Sequence, residues 1–303
     1  MLRVTVANTF ESVRLLIADP SPIVRTGLKG ALFAQGFRAI TDTTSYVKLH
    51  DLLAQDSVDL LITSSTLENN ETAYLIQQTR HHRLGSNPFV VVIMLLANAE
   101  PPYVRKAIDS GADDLLLMPV APEQLMTRIT KLAERRKPFV VTHDYVGPDR
   151  RGKNRQFEHS AATLLVPNPM RARIRGGMDG TRLTAQIRDS AGALNHMQIE
   201  RHAAQVVWLV SHIGASIRDG AAEPGTLVVH TAKLVATAED MIRRIKETPA
   251  EAHAAIIGDL LEIARRLDAD FGKVAYSELE KLHGMAQTLG SLFSPVRSAK
   301  KAG

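Results

Sequence analysis

Five short apolar runs, at residues 13–18, 37–40, 58–63, 89–95 and 114–117, alternate with stretches of helical period over residues 1–137. Runs this short, rich in Val, Ile and Leu and lacking polar alternation, suit parallel strands covered on both faces. Between them the period changes. Val24, Leu28 and Leu32 fall on one helical face, as do Val104 with Ile108, and Leu125 with Ile129 and Leu132. Strand and helix alternating at this spacing predict a doubly wound α/β sheet, with right-handed crossovers placing helices on both sides.

The pattern stops near Arg135. Pro138, Gly147, Pro148, Pro167, Pro169, Gly176 and Gly177 punctuate residues 138–180, which reads as a basic linker. Two short apolar runs inside it, 139–141 and 164–166, are suited to dock on a folded neighbour. From 181 to 296 apolar stripes recur at helical spacing. One carries Val206, Val210, Ile213 and Ile217, and another Leu227, Leu234, Ala238, Met241 and Ile245. A third holds Ile257, Leu261, Ala264 and Leu267, and the last Leu279, Leu282, Ala286, Leu289 and Phe293. The expected architecture is an all-α bundle of about four helices. Thr248-Pro249-Ala250-Glu251 reads as a capping box with proline at the first helical position, and Asp270 as the cap of the last helix. Residues 297–303 read as a disordered basic tail.

Composition narrows the chemistry. Cysteine is absent, which removes disulfides, thiol catalysis and cysteine-ligated zinc. The net charge of +5 hints at nucleic acid, but residues 131–176 alone hold eleven Lys/Arg against four Asp/Glu. The basicity therefore belongs to one segment, and the rest of the chain is slightly acidic. Nothing after residue 181 has a helix-turn-helix signature, so DNA binding is not expected. No window approaches eighteen apolar residues and no basic leader precedes an apolar core, so a cytoplasmic protein without a membrane span is expected.

The stretches LLIADPSPIVRTGL, VDLLITSS and AIDSGADDLLLMPV occur in an order and spacing that resemble the landmarks of the CheY-like response-regulator receiver family. The similarity runs over about residues 13–136. It implies a flavodoxin-like 2-1-3-4-5 sheet with its site at the carboxyl ends of the strands. It also implies two carboxylates after the first strand and a third after the third strand, which hold Mg²⁺ and accept a phosphoryl group, with a hydroxyl and a lysine nearby. At those positions this chain has Asp19 and Pro20, Ser64, Leu96 and Met118. Thr63 and Ser65 flank Ser64, so a one-residue shift restores no acid, and Glu68 lies four residues beyond. The resemblance thus implies a degenerate phosphoacceptor site without metal or other cofactor.

Two other motifs offer alternatives. Arg150, Arg151 and Arg155 include the R-x-x-x-R spacing that PilZ domains use for cyclic di-GMP, and guanidinium forks suit phosphates and the guanine edge. The second PilZ motif is missing; Asp189-Ser190-Ala191-Gly192 is one residue short of it. His230-Thr231-Ala232-Lys233 resembles the core of histidine phosphotransfer domains, with Leu234 where that family usually has glycine. The expected function is a phosphorylation-independent signalling adapter, not an enzyme, contacting a kinase, motor or output enzyme. A homodimer through the helical region is a further expectation. A cyclic di-GMP-responsive regulator and a phosphotransfer protein using His230 stay open beside it.

Overall fold

The computed structural model describes residues 9–151, 163–176, 180–219, 224–270 and 274–294 of the 303-residue chain. Arg155 and the tail 297–303 lie outside the described residues. Two compact units emerge, Met1–Leu194 and Asn195–Gly303, with the boundary inside one long helix.

The first unit runs β1 (Leu15–Ala18), α1 (Pro22–Ala34), β2 (Ile40–Thr43), α2 (Tyr46–Ala54), β3 (Leu60–Ser64), a hairpin of β4 (Thr66–Leu67) and β5 (Asn70–Glu71), and α3 (Thr72–Arg80). It continues with β6 (Val91–Leu96), α4 (Pro101–Asp109), β7 (Asp114–Leu117) and α5 (Pro122–Glu134). Five strands form one parallel sheet in the order β2-β1-β3-β6-β7. With the small hairpin set aside, this is the flavodoxin-like 2-1-3-4-5 order that the sequence resemblance implies. Alternation along the strands sorts the core. Leu15, Ile17, Leu60, Ile62, Val91 and Ile93 pack with residues of α1 and α5, whereas Leu16, Ala18, Leu61, Val92 and Met94 pack with residues of α2, α3 and α4.

Local chemistry fixes the helix starts. Ser21 caps α1 by accepting the Val24 N–H, with Pro22 at the first position, where its missing N–H costs nothing. Ser45 caps α2, and the Glu68 carboxylate accepts the Tyr46 N–H at 2.9 Å. Glu68 thus serves the start of a helix. Glu68 and Asn69 have φ of 48° and 64°, the left-handed pair that a two-residue hairpin needs.

Two expectations for the first unit need correction. The second strand is Ile40–Thr43, shifted three residues along from the apolar run 37–40. Phe37 is fully buried and stacks on Phe10 with ring centroids 4.6 Å apart, so the run marks the packed turn after α1. The strand itself lies at the sheet edge, where one side has no strand neighbour, and can therefore be polar.

The second correction concerns 138–180, read as a linker. It contains β8 (Phe139–Val141), β9 (Val146–Pro148) and β10 (Thr163–Leu164) in an antiparallel sheet, and α6 (Pro169–Arg175). The segment is fastened by guanidinium groups. Arg80, fully buried on α3, donates to the carbonyls of Pro88, Val90 and Gly111 and to Asp113. Arg136 donates to both oxygens of Asp113 and to the carbonyls of Phe89, Val90 and Pro167. The two guanidiniums lie 5.1 Å and 4.9 Å from the centre of the Phe139 ring, in cation–π geometry. Burial pulls the Arg80 pKa down to about 10, against the opposing pull of Asp113, so it stays charged at neutral pH. At Gly111, with φ +83°, an added Cβ would stand 2.4 Å from the Val146 carbonyl; at Gly147 it would stand 2.7 Å from the Gly111 Cα. Only glycine permits this backbone approach. On α6, Met170 and Ile174 join the core on the α1/α5 side, and Arg173 reaches the buried Asp59 at 3.3 Å.

Helix α7 (Gly180–Asp219) carries the chain past the unit boundary. The second unit continues with α8 (Pro224–Ile245), a 3₁₀ turn (Pro249–His253), α9 (Ala254–Ala269) and α10 (Tyr276–Leu292). Its core joins the four stripes read from the sequence, with only Ile217 and Leu279 partly buried. The expected capping box does not close: Thr248 Oγ1 accepts from the Ala250 N–H at the start of the 3₁₀ turn, but Glu251 accepts from the Glu247 N–H and not from that of Thr248. Asp270 does not cap the last helix: it ends α9, and α10 begins after Ala275. No described helix is long and apolar enough to cross a membrane.

Candidate functional site

The carboxyl ends of β1, β3, β6 and β7 bring Asp19, Ser64, Leu96 and Met118 to one edge of the sheet, as the sequence spacing implies. Asp19 is buried, at 5% exposure. One of its oxygens accepts the Ser21 N–H at 2.8 Å, and its main-chain N–H donates to the Thr43 carbonyl. Burial raises the Asp19 carboxyl above its ordinary value, while the Ser21 hydrogen bond and the nearby Arg25 pull the other way. Arg25 is also anchored: it donates to the carbonyls of Asp19 and Pro20 and pairs with Asp42. Pro20, in the position of the second acid, is exposed and has neither a side-chain acceptor nor an N–H.

Ser64 ends β3 opposite Leu95 in the register. Its carbonyl accepts hydrogen bonds from the hydroxyls of Thr63 and Thr72, which fasten the strand end to the start of α3. Leu96 pairs in register with Leu117, is buried at 4% exposure and belongs to the core on the α2–α4 side. Met118 is half-buried, packs on the α1/α5 core and precedes a cis peptide bond to Pro119. Leu115 packs partly buried on the α2–α4 side.

A Mg²⁺ ion seeks several oxygen ligands in near-octahedral array. Here the set offers one carboxylate, already accepting a main-chain N–H, while Leu96 and Met118 supply no oxygen ligand. The donor set does not fit the ion. Among the described residues no three His, Asp or Glu side chains group as metal ligands.

The alternative sites are laid out differently. Arg150 donates to the Ala112 carbonyl at 2.7 Å, while Arg151 pairs with Asp149 at 2.9 Å. The two guanidiniums are thus spent on separate partners and do not converge. His230 on α8 is half-buried, edge-on to Trp208 at 5.3 Å between ring centres, with its Nδ1 buried. His212 stacks on the same indole at 3.8 Å.

The Arg80–Asp113–Arg136–Phe139 cluster escaped sequence reading. Its one signal was the apolar run 139–141; Arg136 was counted only as part of the basic segment 131–176, and nothing in the sequence marked Arg80.

Residues 15–130 match the response regulator receiver domain family. The chain is 26% identical over 176 residues to response regulator MprA of Mycobacterium tuberculosis (strain ATCC 25177 / H37Ra), covering 53% of this chain and 74% of that protein. It is 26% identical over 126 residues to response regulator MprA of Mycobacterium leprae (strain TN), covering 42% and 53%. Similar solved structures include a CheY-like receiver domain protein from Methanospirillum hungatei JF-1, with 20% identity, 39% of this chain, 91% of that one and a TM-score of 0.36. Another is a two-component response regulator from Clostridium difficile, with 20% identity, 41% and 97% coverage and a TM-score of 0.37. Sheet order, landmark spacing and the family match agree on the same segment: residues 15–130 are similar to the response regulator receiver domain family.

Proposed function

We propose that the chain is a response-regulator-like signalling adapter that works without phosphorylation and without catalysis, through contacts with other signalling proteins. The observation that carries this reading is the replacement of the reactive set: serine at the acceptor position, leucine at the hydroxyl position and methionine at the lysine position, around a single buried carboxylate. A serine hydroxyl is far less acidic than a carboxyl group, stays protonated at neutral pH and cannot form the acyl phosphate that a carboxylate acceptor forms. The helical unit is the proposed output region, its partner a kinase, motor or output enzyme in the same compartment. Its basic residues are balanced by acids, which argues for protein rather than DNA as that partner.

Incubation of the chain with acetyl phosphate and Mg²⁺, followed by intact mass measurement, tests the reading. An unchanged mass is expected. A Mg²⁺-dependent gain of one phosphoryl group, lost in Ser64→Ala, overturns it.

A further inference from the structure

Beside the degenerate site, a crevice opens between α3 and α4, at the carboxyl ends of β3 and β6. Its apolar wall comes from Met94 and Leu96 of β6, Ala73 of α3 and Ala107 of α4. Met94 is fully buried, and Leu96 and Ala107 are nearly so, so this wall belongs to the core of the domain. Ser65, Asn98 and the half-exposed Tyr103 supply polar groups around it. Lys106 and Glu71 complete the lining and pair with each other, so the crevice presents no net charge.

We propose that this crevice is a binding site for a small uncharged ring compound bearing one hydroxyl or carbonyl group. Size selects the class first. The cavity holds about 190 Å³. A cavity of roughly 150 Å³ lined by apolar side chains accepts a benzene ring, so one ring with a substituent fits and a nucleotide does not. Polarity selects next. An apolar floor favours a ring face, while the hydroxyl and amide groups at the rim orient a single polar substituent, as in other small-molecule sites. Charge selects last. A carboxylate or ammonium would be desolvated against Met94 and Leu96, and would gain a counter-ion only by breaking the exposed Lys106–Glu71 pair at the rim. Leu96 links this crevice to the lost chemistry: a hydroxyl at that position would wet the wall that leucine keeps dry. The inference goes beyond the adapter reading and is independent of it, since a domain that takes no phosphoryl group could also leave the crevice empty.

The test uses the full chain labelled with ¹³C-methyl methionine, which gives nine signals, that of Met94 assigned through Met94→Leu. Titration with p-cresol should shift the Met94 signal saturably, with a Kd on the order of 1 mM or tighter for a ligand of this size. Ala73→Leu fills the crevice and should weaken the response at least 10-fold. Tyr103→Ala, at an exposed rim position that tolerates change, should weaken it about 3-fold and guards against misfolding of the first variant. The charged counterpart 4-methylbenzoate should bind at least 10-fold more weakly. Three results each overturn the proposal: no saturable shift at Met94, a shift that survives both substitutions, or a benzoate that binds as well as the cresol.

Discussion

Replacing Phe139 by alanine distinguishes a docked strand from a solvated linker by magnitude. The ring has no solvent exposure, lies 6.1 Å from the Phe89 ring and sits under the guanidiniums of Arg80 and Arg136. Truncating a buried phenylalanine costs about 3–5 kcal/mol from lost burial and the cavity left behind. The two cation–π contacts raise this by less than their full worth, since both guanidiniums keep their hydrogen bonds to carbonyls and Asp113. An expected loss of about 4 kcal/mol follows. An exposed linker residue would change stability by no more than about 0.5 kcal/mol. Thermal and urea unfolding of the full chain, followed by far-ultraviolet circular dichroism, separates the two outcomes. At roughly 2–4 °C per kcal/mol for a unit of this size, the receiver transition should fall by about 8–16 °C. A loss below about 1 kcal/mol would refute the reasoning, because a cavity under two buried cations cannot be that cheap.

Other consequences follow from the same geometry. Met118→Lys places an ammonium on the α1/α5 core and should lower the melting temperature, by about 1 kcal/mol for a half-buried apolar side chain; an unchanged or raised value would show that the position faces water. Asp19→Asn keeps an oxygen for the Ser21 N–H and removes a carboxylate whose pKa burial raises. A raised carboxyl is easiest to bury when protonated, so its ionisation lowers stability as pH rises from the unfolded value near 4 through the folded value. The variant should therefore melt at or above the parent at pH 7, with the difference shrinking towards pH 4; a variant less stable at pH 7 would contradict the sign. Calorimetric titration with cyclic di-GMP in about 150 mM salt should give no measurable heat, since Arg150 and Arg151 are held by separate partners and exposed charge attraction is screened. Micromolar binding abolished by Arg151→Ala would reinstate the nucleotide-sensor reading.

Periodicity alone settled most of what lies inside. The strand runs and helical stripes correspond to the two faces of the sheet and to the helical core, because burial repeats at intervals of two or 3.6 residues whatever the partner. The candidate site was equally legible, since strand ends are local features and Asp19, Ser64, Leu96 and Met118 each follow an apolar run. The polar β2 was misplaced for the converse reason: an edge strand covered on one side only leaves little apolar signature. What only the tertiary structure decided is the fate of residues 138–180. Arg80, Asp113, Arg136 and Phe139 are distant in the chain, and a charged residue written in a sequence looks solvated. Their burial depends on each being the other's partner, an arrangement with no period and, apart from the apolar run at Phe139, no local signal.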